Sequence, residues 1–447
     1  MTRAVFLVLS LSTATIAPAQ DWPQFRGPRG SGVSQESGLP TQWSESENIR
    51  WKVEIPGTGH SSPIVFGDRV FVTTAVGEKK AEVPKKGLYF GGNRSTPEPD
   101  EHQWTILCLD RNTGKTLWNA VAIRRKPSSP IHVKNSYASS TPVTDGRHVY
   151  AFFGSEGLYC FDMEGKKVWE RDFGVLKTVF DWGPASSPVL HGDTLFLQCD
   201  TQKESFLIAL DKATGETRWK VDRQEKSTWS TPLVWETDTR TELVTAGSAA
   251  IRSYDPATGK LLWELAPMSN IAAPTPVAGH GLVFVSSGYV LDKVRPVYAV
   301  RPDSSGELKL KAGETKSESI AWSHPLAGPY IPSPIVYGDY LYVLLDRGFL
   351  SCYDARSGKE IYGRTRIAAG AGSFSASPIA YDGKIFCASE DGDTYVIQAG
   401  PEFKVLAVNS LGEFTMATPA ASRGQLFIRT FSHLYCIANG ARLSRSR

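Results

Sequence analysis

The 447-residue sequence predicts an all-β fold, an eight-bladed β-propeller of four-stranded blades closed by an N-terminal strand on the last blade. Three observations carry that prediction. A Ser or Thr stands directly before a Pro at the start of eight short apolar strands: Ser62-Pro63, Thr141-Pro142, Ser187-Pro188, Thr231-Pro232, Thr275-Pro276, Ser333-Pro334, Ser377-Pro378 and Thr418-Pro419. Most gaps between these prolines are 41 to 46 residues, the length of one blade. The eighth unit stops before its outer strand, and an orphan strand of matching pattern lies near the N-terminus.

Met1 to Ala19 reads as a secretory leader. Arg3 supplies a minimal positive charge, Ala4 to Leu11 an apolar stretch, and Ala17-Pro18-Ala19 a small-residue cleavage site. The apolar run is too short to span a membrane, and no Cys stands near the cleavage point to carry a lipid. A soluble periplasmic or secreted protein beginning at Gln20 is expected. Residues 20–48 form an N-terminal segment, 49–438 the propeller and 439–447 a tail. Ile49 to Ile55 carries Trp51 where an outer strand carries its tryptophan, and is expected to pair with the last blade near Leu434. Closure removes sheet edges that would otherwise invite aggregation. The alternative is seven blades and a loose N-terminal strand.

The repeat is clearest between Ser186 and Trp219. Pro188 opens the first strand, where a lost N–H costs least. His191-Gly192-Asp193 is a turn, Leu195 to Cys199 the second strand and Phe206 to Leu210 the third. Asp211-Lys212-Ala213-Thr214-Gly215 is a tight turn, with Gly for positive φ and Asp capping backbone N–H groups. Glu216 to Val221 is the outer strand, with Trp219 packing between blades. The ending recurs as Asp110…Gly114…Trp118, Asp162…Gly165…Trp169, Asp255…Gly259…Trp263 and Asp354…Gly358…Tyr362, and is stretched to Trp322 in blade five. The eighth unit has strands near Gln425 to Arg429 and Leu434 to Ile437.

The net charge is +3 with basic residues scattered along the chain, which does not imply nucleic acid. Cys108, Cys160, Cys352 and Cys436 occupy the same third-strand position in different blades, too far apart to bridge, while Cys199 and Cys387 sit on second strands. They read as buried small apolar residues. G-x-S-x-G and phosphate-binding glycine loops are absent. Asp391-Gly392-Asp393 lacks the rest of a calcium loop and fits a hairpin turn.

The D-x-x-T-G-x-x-x-W ending, complete in Asp211…Thr214-Gly215…Trp219 and Asp110…Thr113-Gly114…Trp118, resembles the pyrroloquinoline-quinone (PQQ) type propeller repeat. The resemblance spans roughly residues 49–438. Asp21-Trp22-Pro23-Gln24-Phe25-Arg26-Gly27-Pro28 also looks like the start of exported PQQ-like proteins of planctomycete-type bacteria. The resemblance implies one of two functions. Quinoprotein alcohol dehydrogenases hold PQQ and calcium in the channel, with two adjacent cysteines against the cofactor and a Glu/Asn/Asp calcium set. Non-catalytic members, such as the lipoprotein of the outer-membrane barrel-assembly machinery, bind partners. This sequence has no Cys-Cys pair, and no such calcium set is assignable. The expectation is therefore a monomeric, non-catalytic scaffold that binds a protein or cell-envelope polymer, with no catalytic residue, metal or cofactor predicted. A PQQ-dependent dehydrogenase with an atypical site is the alternative.

Loops joining the second and third strands share a face with those joining one blade to the next, and long loops there are candidates for a site. Three cluster near blades one to three. Gly77 to Gln103 is an insertion carrying Lys79, Lys80, Lys85, Lys86, Tyr89, Phe90, Arg94 and His102. Ala120 to Ala138 carries Arg124, Arg125, His132, Lys134, Asn135 and Tyr137. Gly174 to Ala185 carries Phe180, Asp181 and Trp182. The predicted ligand-binding set is His132, Lys134, Asn135, Tyr137 and Trp182: two groups for an anion, and aromatic faces for a ring or sugar. The alternative is that Asn135 and Ser139 cap turns and Tyr137 packs between blades. Asp303 to Ser319 of blade five is expected on the opposite face as a solvated polar excursion.

Overall fold

The computed structural model describes residues 20–79, 82–89 and 91–442. The leader assigned to residues 1–19, together with Lys80 and Phe90 of the first insertion, lies outside the described residues. Eight sheets form the ring, one per Ser/Thr-Pro unit, each built on four antiparallel strands and one of them extended by a fifth. In blade three the strands are Val189–His191, Thr194–Cys199, Ser205–Asp211 and Thr217–Arg223, within two residues of expectation.

The ring closes as the orphan strand predicts. Glu47–Glu54 pairs antiparallel with His433–Arg442, placing Trp51 opposite Cys436 and Val53 opposite Leu434. The last strand thus runs to Arg442, into the stretch read as a tail.

Two devices tie each blade to the next. The first explains the tryptophans. Gly215 has φ +73°, and a Cβ there would lie 2.8 Å from the ring of Trp169 in the preceding blade. The indole therefore lies flat on a glycine that no other residue can replace without clash. Its Nε1 donates to the Lys212 carbonyl at 3.1 Å. The same docking joins Trp51 to Gly114, Trp118 to Gly165, Trp219 to Gly259 and Trp322 to Gly358. Blade five has no such glycine turn, and Trp263 instead donates to the buried Glu242 carboxylate at 2.6 Å.

The second device explains the Ser/Thr-Pro pairs. The N–H of Ser62 donates to Thr141 Oγ1 (2.9 Å), and that of Thr141 to Ser187 Oγ (3.0 Å). The relay continues through Thr231, Thr275, Ser333, Ser377 and Thr418. Thr418 then donates to Ser62 Oγ at 3.1 Å. All eight side chains are buried. Proline follows because the next residue begins the inner strand and needs no N–H of its own there.

Residues 20–43 pass beneath the ring across its inner strands. Trp22 forms a two-way bridge with Val65 of blade one, Pro23 accepts from Thr144 of blade two, and Arg26 donates to the Pro334 carbonyl at the start of blade six. Ser34 then bonds Ala380 of blade seven. This end of the channel, on the face of the first hairpins, is closed by the chain itself.

Two loop expectations are corrected. Ala120 to Arg125 is not loop but the end of a ten-residue outer strand, Thr116–Arg125. The 303–319 stretch is not merely solvated: Gly306–Leu308 pairs parallel with Leu261–Leu265 and makes blade four five-stranded, burying Leu308. The only strand-like cue is the short alternation Leu308-Lys309-Leu310-Lys311-Ala312, and the observed strand, Gly306–Leu308, takes in just its first residue. All six cysteines are free and buried.

Candidate functional site

The described residues of the blade-one insertion, 77–79, 82–89 and 91–101, lie across the opposite mouth of the channel as a lid. Its Gly87 reaches blade seven, where the peptide is held at both ends: the N–H donates to Glu390 Oε2 at 2.8 Å, and the carbonyl accepts from Lys134 Nζ at 2.9 Å. Lys134 and Glu390 pair at 2.7 Å, with the Glu390 side chain buried and that of Lys134 nearly so. Ser375 Oγ donates to the same carboxylate at 2.5 Å, and Lys86 pairs with the neighbouring Asp391. This is a latch between blades one and seven, built around one glycine peptide.

The predicted residues meet at the lid, but mostly on each other. His132 donates from Nε2 to the Gly91 carbonyl (2.8 Å), while its Nδ1 accepts from the Lys134 N–H (3.1 Å). One nitrogen must be protonated and the other bare, so the ring is neutral, and burial lowers its pKa in the same sense. Trp182 donates to Asn93 of the lid at 2.8 Å and packs against His132, Phe180 and Trp229. Asn135 holds the Trp182 carbonyl with Nδ2 and the Ser136 N–H and Ser139 hydroxyl with Oδ1. Tyr137 lies edge-on to His102 and Trp104, and burial pushes its hydroxyl up to about 12. Asn135 and Tyr137 therefore organise the loop, Lys134 latches the lid, and His132 and Trp182 carry it.

Beneath the lid is a cavity of about 300 Å³. Its wall includes His132, Asn135 and Tyr137, but not Lys134 or Trp182. It also includes His60, which the sequence did not single out, and His102 of the insertion, which lay outside the predicted ligand-binding set. His102 Nε2 lies 3.1 Å from Glu98 and Nδ1 3.0 Å from the Asp100 carbonyl. Burial disfavours its cation, yet with acceptors at both nitrogens the net shift of its pKa is upward. His60 is the opposite case. Its Nε2 is buried without a partner, and burial with Arg429 and Lys134 nearby pulls its pKa down to about 3. Arg429 joins blades eight and one from 368 residues away, through Ser61. No local pattern announces such a meeting.

Whether PQQ and calcium fit can be judged from these side chains. Among the described residues no three of His, Cys, Asp or Glu converge to hold a metal ion. The cysteines lie apart in the blade cores, and the mouth is crossed by the latched lid. The adjacent-cysteine pair that the resemblance implied for a PQQ site is not formed.

The chain matches the PQQ_2 family, described as outer membrane protein assembly factor BamB, over residues 100–221 and 203–438. The chain belongs to this family. Among solved structures, BamB from Moraxella catarrhalis aligns with a TM-score of 0.56 at 10% identity, covering 87% of this chain and 99% of that one. A quinohemoprotein alcohol dehydrogenase from Comamonas testosteroni aligns with a TM-score of 0.61 at 12% identity, covering 97% and 83%. At these identities the likeness is one of fold. A polyvinylalcohol dehydrogenase from a Pseudomonas species is 23% identical over 332 residues. The match takes in 58% of this chain and 46% of that protein, so it spans about half the relative's length. PQQ_2 membership thus accounts for the repeat and leaves the activity to the site.

Proposed function

We propose that this protein is an exported, non-catalytic propeller that presents its lidded face to a protein or cell-envelope polymer in the periplasm or outside the cell. One observation carries the reading. Among the described residues, the exposed large apolar side chains that do not lie on outer strands all stand on loops of the lidded face: Val83, Leu88, Val175, Phe180, Leu291 and Leu326. Exposed apolar groups gathered on one face of a large molecule mark an interaction surface. His132, Lys134, Asn135, Tyr137 and Trp182 serve that surface by fixing the lid and the loops around it. The BamB-like fold, shared with a family described by an assembly factor, agrees with partner binding.

The 23%-identical polyvinylalcohol dehydrogenase keeps a second reading open, a PQQ-dependent dehydrogenase with an atypical site. Reconstitution with PQQ and calcium separates the two. The expected result is no stoichiometric PQQ binding and no dye-linked oxidation of polyvinyl alcohol or small alcohols. Stoichiometric binding with turnover would overturn the scaffold reading.

A further inference from the structure

We propose that Gln20 is a lock set by processing: hydrolysis of the Ala19–Gln20 bond by a leader peptidase frees an α-ammonium group, and the buried Glu36 carboxylate is its seat. The inference rests on the export reading above, because that reading supplies the cleavage. Water adds across the peptide bond, Ala19 leaves with the carboxylate, and Gln20 keeps the nitrogen, which is protonated at neutral pH.

The seat is built where the 20–43 segment meets the first hairpin of blade eight. Glu36 is 6% exposed. Its Oε2 accepts from the Gly424 N–H at 2.6 Å, and its Oε1 from the Arg423 N–H at 2.7 Å. Both amides belong to the turn between the strands Ala420–Ser422 and Gln425–Arg429, where Arg423 and Gly424 have φ of +53° and +75°. Such a turn aims two successive N–H groups at one anion. The third donor is the backbone nitrogen of Gln20, 2.5 Å from Oε1. Gln20 is held at two further points: its carbonyl accepts from Ser422 Oγ at 2.6 Å, and its side-chain Oε1 from the Gln35 N–H at 3.1 Å.

Charge gives that nitrogen its role. All three donors to Glu36 are backbone groups, and among the described residues no cationic side chain pairs with it. The guanidinium of Arg423, on the same turn, is taken by Asp21 at 2.9 Å. A buried carboxylate without a cation is costly. While residue 19 is attached, Gln20 offers one neutral peptide N–H. After cleavage the same atom carries a positive charge, already in place, with no long side chain to order. Blade eight is also the blade that Glu47–Glu54 closes, so the lock ties the start of the chain to the seam of the ring. It has a chemical consequence as well. An N-terminal glutamine cyclises when its nitrogen attacks its own Cδ and expels ammonia, and a nitrogen held as ammonium has no lone pair for that attack.

The test expresses the full chain with its leader in a Gram-negative host and reads the periplasmic product by intact mass and N-terminal sequencing. The expected product starts at an uncyclised Gln20. A leader left in place overturns the export reading and the lock together, whereas an exported chain starting elsewhere overturns the lock alone. On the Gln20 form, the pH profile of α-amine acylation is expected to place the amine's midpoint about one unit above that of a free peptide of the same start. Glu36→Gln is expected to return it to the peptide value. The raised group contributes stability below its ordinary pKa, lost as pH rises through the raised one. A form that retains Ala19, made by tag removal, is therefore expected to show an unfolding constant about tenfold larger at pH 6, with the gap closing at high pH. A midpoint at or below the peptide value, or Gln20 cyclised in the folded protein, overturns the lock with export intact. Both are read on the unaltered sequence, so they hold even if Glu36→Gln does not fold.

Discussion

Trp51 lying on Gly114 is the contact on which ring closure turns, because it joins the N-terminal strand to blade one. Gly114 has φ +73°, and a Cβ would sit 2.7 Å from the indole. Gly114→Ala therefore adds backbone strain to a clash and is expected to cost about 3 kcal/mol, measured by denaturant unfolding. The belt allows a milder test. Thr141→Val keeps the shape but leaves the buried Ser62 N–H without its acceptor, for an expected loss of about 2 kcal/mol. Both positions were legible in the sequence for one reason: turn glycines and pre-proline hydroxyls are local chemistry repeated blade after blade. His60 and Arg429 were not. Each belongs to an ordinary stretch of its blade, and only ring closure brings them together.

At the scale of the element, the lid is the part whose existence was readable and whose destination was not. The spacing between blade-one strands revealed a long insertion, but nothing in it names Glu390 as its anchor. Lys134→Ala leaves that buried carboxylate with only Ser375 and the Gly87 N–H. A cost of about 3 kcal/mol and faster tryptic cleavage at Lys85, Lys86 and Arg94 are expected, with the cuts read by mass spectrometry. The hinge end carries a pH dependence. Hydrogen bonding from His102 holds Glu98 below the usual carboxylate range, whereas His102 is raised. Glu98's contribution is present above its ordinary pKa and lost as pH falls through its lowered one. That of His102 is present below its ordinary pKa and lost as pH rises through its raised one. The tie is therefore strongest between the two ordinary values, at mildly acid pH. Exchange of amides at 91–101, corrected for intrinsic rate, is expected to quicken from pH 6 to pH 8, and His102→Gln to abolish that pH step. The strand at Gly306–Leu308 shows the same limit: a partner on another blade gave it a structure that its own composition did not suggest.

For the whole molecule, the cysteines report on the ring. Burial pushes the Cys108 thiol up to about 12 and raises the other five as well. In native protein at pH 8 an aromatic disulfide reagent is expected to label none of the six, and all six once the ring unfolds in denaturant. Labelling rates at low denaturant then tell whether blades open singly or together. The strand count, period and closing register were legible because each blade repeats one pattern. The crossing of residues 20–43 beneath the ring was not, since that segment has no repeat to be measured against.

The belt of Ser and Thr residues carries one last consequence. Each N–H points to the hydroxyl of the following blade, in the same rotational sense all the way round. A helix stacks its peptide dipoles in a line and so has two charged ends with unmet groups. Here the dipoles chase one another in a circle. Their components in the plane of the ring cancel by symmetry, and no terminal donor or acceptor is left over. Discrete buried charges stand at the two ends of the ring, Arg26 toward one and Arg429 toward the other.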